Sequence, residues 1–485
     1  MEVATSTAAQ NDAPFVFWDG SGKIVPHLLY EFFRREGIGK YFPESARWKN
    51  STPMILKVRG NILSEVNVTF LLETAKNHIL KCTEENGEAG PILDSLHKST
   101  NLFSDKNLML LPTLDLDFIS DTREYGYLFF KNGIVEITAE SVVLKEYGDF
   151  DRYLWESSII DLDFREVAFA ELEEKCDFMQ FLKDVTVVSD GEKSKVRFKC
   201  LASGIGYLLH RFKDPALNKA IILMDIYVNG NPNGGSGKTL LISAIGKLRK
   251  LAIIDGKRFD PREWFEFSSV EADTGVVLFD DLKKDFSFEA IFPLMSTGLY
   301  QRRKYKDNIF IPHEKAPKVA LTTNFAINGD SSSYKRRMWE FEVSTTYSAD
   351  YSPRDKFGHN FFEDWSEEEW NLFYNVMIWC LQVFLKDGLI EPEPINIKLT
   401  KLVSSTCEEF LAFADEVIER DVQLDKRELY LDFLKHYPEF KYQLKQRTFT
   451  QWLRIWGSFK GYQVDENHAG VIRNIIFSNT TNIKN

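Results

Sequence analysis

Residues suited to phosphate chemistry gather in the stretch "NPNGGSGKT". Gly234, Gly235 and Gly237 permit positive φ and let backbone N–H groups come close to a pyrophosphate. Lys238 supplies a cation for β- and γ-phosphates, and Thr239 a hydroxyl ligand for magnesium. With Asn233 and Ser236 these residues form a candidate ATP cradle. The place where such loops carry their first glycine holds Pro232, which can itself start a turn, with Gly230 nearby giving freedom. Downstream, "VVLFDD" ends four apolar residues on Asp280 and Asp281. The acids are expected at the carboxyl edge of a strand, where α/β sheets bind ligands. Asp280 suits a magnesium ion held through water, and Asp281 suits orienting or activating an attacking water. "KVALTTN" ends on Asn324, an amide able to meet a γ-phosphate or the lytic water. Arg336 and Arg337 then precede an alternating strand; on an extended backbone they point to opposite sides, so one of the two can reach a phosphate. Each feature alone has a structural alternative: a glycine turn, solvated acids, a capping Asn, surface arginines. Their order along one chain favours the nucleotide.

The elements that must hold these groups follow from hydrophobic pattern. "AIILMDIYV", "LAIID", "GVVLFDD" and "KVALTTN" are continuous apolar runs of strand length, and "KTLLISAIGKLRK" has helical period. Buried strands alternating with helices predict an α/β core with a parallel central sheet. Before it, residues 1–160 read as an α+β domain, with a hairpin at Asn132-Gly133, and residues 161–215 as a helical collar. The core is expected over 216–346 and a helical extension over 347–395, where Asp364 and Ser366 stand at a helix start and Glu369 completes a capping box. A Pro-rich hinge leads to residues 396–485, whose helices and terminal hairpin suggest a winged-helix-like module.

Composition narrows the function classes. The 485 residues are 44% hydrophobic and 14% aromatic, which describes chains able to bury large cores. The net charge of −12 means that any nucleic-acid contact must come from a local basic patch. The five cysteines, Cys82, Cys176, Cys200, Cys380 and Cys407, are scattered with no paired spacing, so neither a zinc cluster nor a disulfide framework is expected. No apolar run approaches the ~18 residues that span a bilayer, and the polar N-terminus does not read as a signal segment. A cytoplasmic protein without membrane contact is expected.

The order of phosphate loop, acidic strand, basic segment, "KVALTTN" and "KRR" resembles the superfamily 3 helicases of viruses, phages and mobile elements. It is most similar to the helicase half of poxvirus-type and phage primase-helicases. The resemblance covers about 220–342 and implies an AAA+ P-loop core, ATP and Mg2+ as cofactors, and a homo-oligomeric ring, expected to be a hexamer. In such a ring an arginine of one subunit completes its neighbour's site. It also implies a hairpin that grips single-stranded DNA, matched here by Arg302, Arg303, Lys304 and Lys306 with Tyr300 and Tyr305 interleaved. Bottom-up, cations among aromatics suit phosphate contact and base stacking; a solvated face is the alternative, but such a local concentration in an acidic chain favours function. The expectation is a replicative DNA helicase, with a separate primase or polymerase as a further partner. The resemblance leaves the N-terminal domain a role in assembly or positioning.

Two other classes compete. A primase needs paired carboxylates, and Asp115 and Asp117 in "TLDLDF" share one face of a possible strand. The histidine-bearing strand expected after such a pair is missing, so a polar strand face is preferred. A small-molecule kinase would give the basic segment no obvious place, and a non-motor AAA+ switch acting on a protein would be expected to carry an aromatic-hydrophobic pore loop where this chain is basic.

Overall fold

The computed structural model describes residues 15–42, 53–84, 87, 89–226, 234–263, 266–271, 273–301, 309–327, 331–469 and 472–479. Helix α1 (Pro26–Arg35) leads to strands β1 (Ile38–Tyr41), β2 (Met54–Arg59) and β3 (Ile62–Glu65), then to helices α2 (Val68–Thr83), α3 (Ala89–Lys98) and α4 (Asp105–Leu108). Strands β4 (Gly126–Phe130), β5 (Gly133–Ile137) and β6 (Val142–Lys145) form a meander, followed by the two-residue strands β7 (Leu154–Trp155) and β8 (Ile159–Ile160). They make two four-stranded sheets, β1-β2-β3-β7 and β6-β5-β4-β8. The β4–β5 turn is Lys131-Asn132, because Phe130 pairs with Gly133; Gly133 opens the strand instead of sitting in the turn.

Helices α5 (Phe169–Lys175), α6 (Asp177–Asp184) and α7 (Gly191–Leu209) precede the central sheet. That sheet contains β9 (Ala220–Asp225), β10 (Leu251–Asp255), β11 (Val276–Leu282), β14 (Lys318–Thr323) and β15 (Met338–Val343) in the order β10-β11-β14-β9-β15. Every neighbouring pair is parallel. Between these strands lie α8 (Lys238–Ile245), α9 (Phe292–Ser296), the antiparallel pair β12 (Gly298–Gln301) and β13 (Ile309–Pro312), and the short α10 (Ser332–Lys335).

The apolar runs form parallel strands because both of their faces are covered. Ile221 and Leu223 of β9 join a core with residues of α7 and α8, while Ala220, Ile222 and Met224 join a second core containing Phe288, Leu294 and Ile311. Edge strand β10 shows the contrast: Ala252 and Ile254 are buried, whereas Ile253 is exposed.

After β15 come α11 (Pro353–Phe357) and α12 (Glu367–Asp387), the latter packed along α7. Ser366 caps α12 and forms the full capping box with Glu369. Asp364 does not cap it; its carboxylate accepts from the Asn360 N–H at 2.8 Å. The last unit contains α13 (Ile397–Ser405), α14 (Glu408–Val417), β16 (Leu424–Asp425), α15 (Lys426–His436), α16 (Gln446–Phe459), β17 (Tyr462–Ala469) and β18 (Ile472–Asn479). Its sheet order is β16-β18-β17, over a core of Phe410, Phe433, Phe449, Leu453 and Phe477. Among the described residues no helix is long and apolar enough to cross a membrane.

A buried ion pair fastens the β4 sheet to the central one. Arg249, just beyond α8, reaches Asp121 at 3.3 Å and donates to the backbone oxygens of Leu209 and Tyr127 at 2.7 and 3.0 Å. Beside it His210 is buried, and desolvation pushes its imidazole down to about 4.

Candidate functional site

Because β14 lies between β9 and β11, the carboxyl ends of these strands put three chemistries side by side: the end of the glycine loop, the acid pair and the asparagine. A parallel sheet aims all three at one edge. Of the loop, residues 234–239 are described; Pro232 and Asn233 lie outside the described residues. Gly235 and Gly237 have φ of 90° and 94°. A Cβ on Gly235 would come within 2.9 Å of the Ser348 carbonyl carbon, and one on Gly237 within 2.9 Å of the Phe181 ring. Both positions thus need glycine for conformation and for space. Gly234 is exposed and meets no such crowding.

Helix α8 starts at Lys238, directly after Gly237. The Lys238 ammonium is buried and bound on three sides: Asp225 Oδ1 at 2.6 Å, Asn324 Oδ1 at 2.9 Å and Ser236 Oγ at 3.2 Å. Ser236 also donates its hydroxyl to Asp225 Oδ1. Thr239 Oγ1 donates to Asp280 Oδ1 at 3.0 Å, so the two groups suited to magnesium are in contact. Thr322 of β14 donates to the same Asp280 oxygen.

Asp281 is placed differently from its neighbour. The β11–β14 register shifts between Phe279 and Leu282, and Asp281 takes φ of 54° at that irregularity. Its N–H donates to Thr322 Oγ1 at 2.8 Å, and its carboxylate pairs with Lys257. Aspartate tolerates this left-handed conformation better than bulky residues do. Lys238, Thr239, Asp280 and Asn324 are therefore brought together, while the Asp281 carboxylate turns to Lys257 on the β10 side.

The two arginines are not on an extended backbone. Arg336 closes α10 in helical conformation and is exposed. Arg337 folds back: its Nη1 donates to Ser333 Oγ at 2.8 Å and to the Ser333 carbonyl at 3.1 Å, and its guanidinium lies 4.5 Å from the centre of the Phe292 ring. Burial, then the neighbouring Arg336 charge, pushes the Arg337 guanidinium down. The adjacent side chains are separated by the helix end, not by strand alternation. Both residues precede β15, whose Met338 pairs with Ala220 at the start of β9. The strand's six residues span about 20 Å, so the arginines stand at the opposite sheet edge from their own chain's Lys238.

The β12–β13 pair also leaves from that opposite edge, where His313, just past β13, meets Asn218 at 2.8 Å before β9. Tyr300 is 70% exposed, its ring centre 4.7 Å from that of Phe310. Arg302, Arg303, Lys304, Tyr305 and Lys306 lie outside the described residues. Asp115 and Asp117 are exposed between the isolated bridge residues Thr113 and Phe118, on a segment that forms no regular strand.

No family model matches this chain, and no curated protein matches it. Among solved structures it is similar to the apo A form of the NrS-1 C-terminal region, residues 305–718, at 13% identity, with 93% of this chain and 99% of that chain covered and a TM-score of 0.39. It is also similar to a JCV helicase bound to a small molecule, at 13% identity, 58% and 65% coverage and a TM-score of 0.25. A third is a Drosophila ORC bound to DNA, at 12% identity, 66% and 93% coverage and a TM-score of 0.19. All three scores lie below 0.5.

Three residues of this edge escape a motif reading. Asp225 closes an apolar run that reads as continuing to Val228; Thr322 looks like an ordinary β-former; Lys257 follows a strand and looks solvated. The signal for Asp225 is an acid interrupting a buried strand just before a glycine loop, since an enclosed carboxylate demands a partner.

Proposed function

We propose that this chain is an ATP-hydrolysing motor that moves on single-stranded DNA as a ring and separates strands in DNA replication, with an AAA+ core of the superfamily 3 kind. The observation that carries the reading is the convergence of Lys238, Thr239, Asp280 and Asn324 at the carboxyl edge of β9, β11 and β14. The residues fit a magnesium nucleotide. Gly235 and Gly237 leave room where a Cβ would intrude, and the Thr239 hydroxyl and Asp280 carboxylate that would hold the ion are already in contact. Lys238 would hold the β- and γ-phosphates, Thr239 and Asp280 the ion, and Asn324 the terminal phosphate or the attacking water. Magnesium, when bound, neutralises phosphate charge and polarises the bond to be broken. Asp281 acts as the water-orienting group once its pairing with Lys257 opens.

The arginine geometry supports a ring. An ATPase of this type needs a cation at the transferred phosphate, and Arg336 stands too far from its own loop to supply it. Arg336 serves the neighbouring subunit, and Arg337 braces the helix end behind it. The basic run Arg302 to Lys306, which follows β12 in the sequence, would contact the DNA backbone, with Tyr300 for base stacking. A hexamer, a partner primase or polymerase, and an assembly role for the N-terminal unit complete the reading.

The test is ATP hydrolysis with and without single-stranded DNA, in the natural chain and in a Lys304→Ala, Lys306→Ala double variant. The expected result is stimulation by DNA that the double variant loses while keeping its basal rate. Unchanged stimulation in that variant removes the hairpin from the account.

A further inference from the structure

An ammonium has three protons to donate, and all three of Lys238 are engaged by Asp225, Ser236 and Asn324. A phosphate oxygen can be bound only if one of these partners lets go. Asp225 is the charged one and the closest. Its side chain is 6% exposed and that of Lys238 10%, so their attraction is poorly screened by water. Oδ1 of Asp225 receives both the ammonium and the Ser236 hydroxyl, while Oδ2 has no partner among the described residues. A loop that only cradles phosphate has no need of a buried carboxylate beside its lysine, because that charge repels the ligand the loop is built for.

We propose that Asp225 is a positioning residue, a resting-state counter-ion that competes with the nucleotide's phosphates for Lys238 and so sets nucleotide affinity from inside the core. The proposal rests on the nucleotide reading of the loop. Without nucleotide, Asp225 keeps the ammonium ordered between β9 and β14 and turned toward Asn324. When a triphosphate arrives, the ammonium changes partner, and Asp225 keeps the Ser236 hydroxyl. The strand end and the residue that contacts the terminal phosphate thereby sense the same exchange. Asn324 shares the lysine with Asp225, so a change at one is felt at the other.

The test combines binding with stability of the nucleotide-free protein. Binding of a fluorescent ATP analogue with magnesium is measured for the natural chain, Asp225→Asn, Asp225→Ser and Lys238→Ala. Neutralising Asp225 is expected to tighten binding about tenfold, equivalent to about 1.4 kcal/mol. A damaged fold weakens binding, so a gain cannot come from disruption. In the absence of nucleotide, Lys238→Ala leaves a buried unpaired carboxylate and lowers Tm. Adding Asp225→Asn to that variant is expected to restore it, as a coupled pair requires. If the natural chain binds the analogue, Lys238→Ala abolishes binding, and both Asp225 variants bind no more tightly than the natural chain, the counter-ion role is overturned and the nucleotide site stands. If neither the natural chain nor the Asp225 variants bind, both readings fall. If either Asp225 variant fails to fold, the other is used. Absence of Tm rescue in the double variant overturns the pairing on its own.

Discussion

Arg336 and Arg337 are adjacent in sequence and have opposite expected phenotypes. Arg337→Ala removes a cation–π contact with Phe292, worth ~1 kcal/mol, and charged hydrogen bonds to Ser333, worth ~1.5 kcal/mol. Truncation also removes the buried Nε, which has no partner among the described residues, and this offsets part of that loss. The net cost is about 2 kcal/mol of stability. Arg336 is exposed, and its truncation is expected to change stability by less than about 0.5 kcal/mol. If its charge reaches the neighbour's phosphates, however, Arg336→Ala lowers turnover by about a thousandfold. The assay pairs thermal unfolding with steady-state ATP hydrolysis, then mixes Arg336→Ala with Lys238→Ala. On the proposed ring each variant alone is expected to be inactive, whereas a mixed ring would contain interfaces with an intact lysine facing an intact arginine, so mixing is expected to restore turnover. Native turnover in Arg336→Ala, or no recovery on mixing, refutes the division of labour.

Three further outcomes follow from named contacts. Thr322→Val keeps the side-chain volume but removes the hydroxyl that holds Asp280 and receives the Asp281 N–H; it is expected to cost about 1–3 kcal/mol and to weaken magnesium dependence, read by unfolding and by metal titration of ATP turnover. His210 is held neutral, with its folded value of about 4 below the ordinary 6.5. Its contribution is complete above pH 6.5 and is lost as pH falls toward 4, roughly 3 kcal/mol in all. Unfolding free energies at pH 7, 5.5 and 4.5 should fall more steeply in the natural chain than in His210→Gln; parallel curves contradict this. Lys257→Ala breaks an exposed pair and is expected to leave stability within about 1 kcal/mol while changing turnover through Asp281, measured by the same two assays.

The legibility of this chain in its sequence follows from physics at particular residues. "VVLFDD" and "KVALTTN" are readable because a strand covered on both faces must be apolar throughout, and the acids that end the first mark its edge. Ser366 and Glu369 are readable because a capping box is local, with both hydrogen bonds made within three residues. What cannot be read is non-local. Thr322 gains its role only because β14 inserts between β9 and β11, which puts it against Asp280. Lys318 lies buried against the Tyr207 ring, and burial pushes its ammonium far down; nothing near it in sequence announces this. The expectation of opposed arginines fails for a local reason: α10 extends helical backbone to Arg336, so strand alternation does not apply.

The most direct measurement of the central claim is strand separation on a forked DNA duplex bearing one single-stranded tail. Release of the displaced strand by the natural chain is expected only when ATP and magnesium are both supplied, and none is expected from Lys238→Ala. Release without ATP, release by Lys238→Ala, or ATP hydrolysis by the natural chain with the duplex left intact under every tail polarity would contradict that claim.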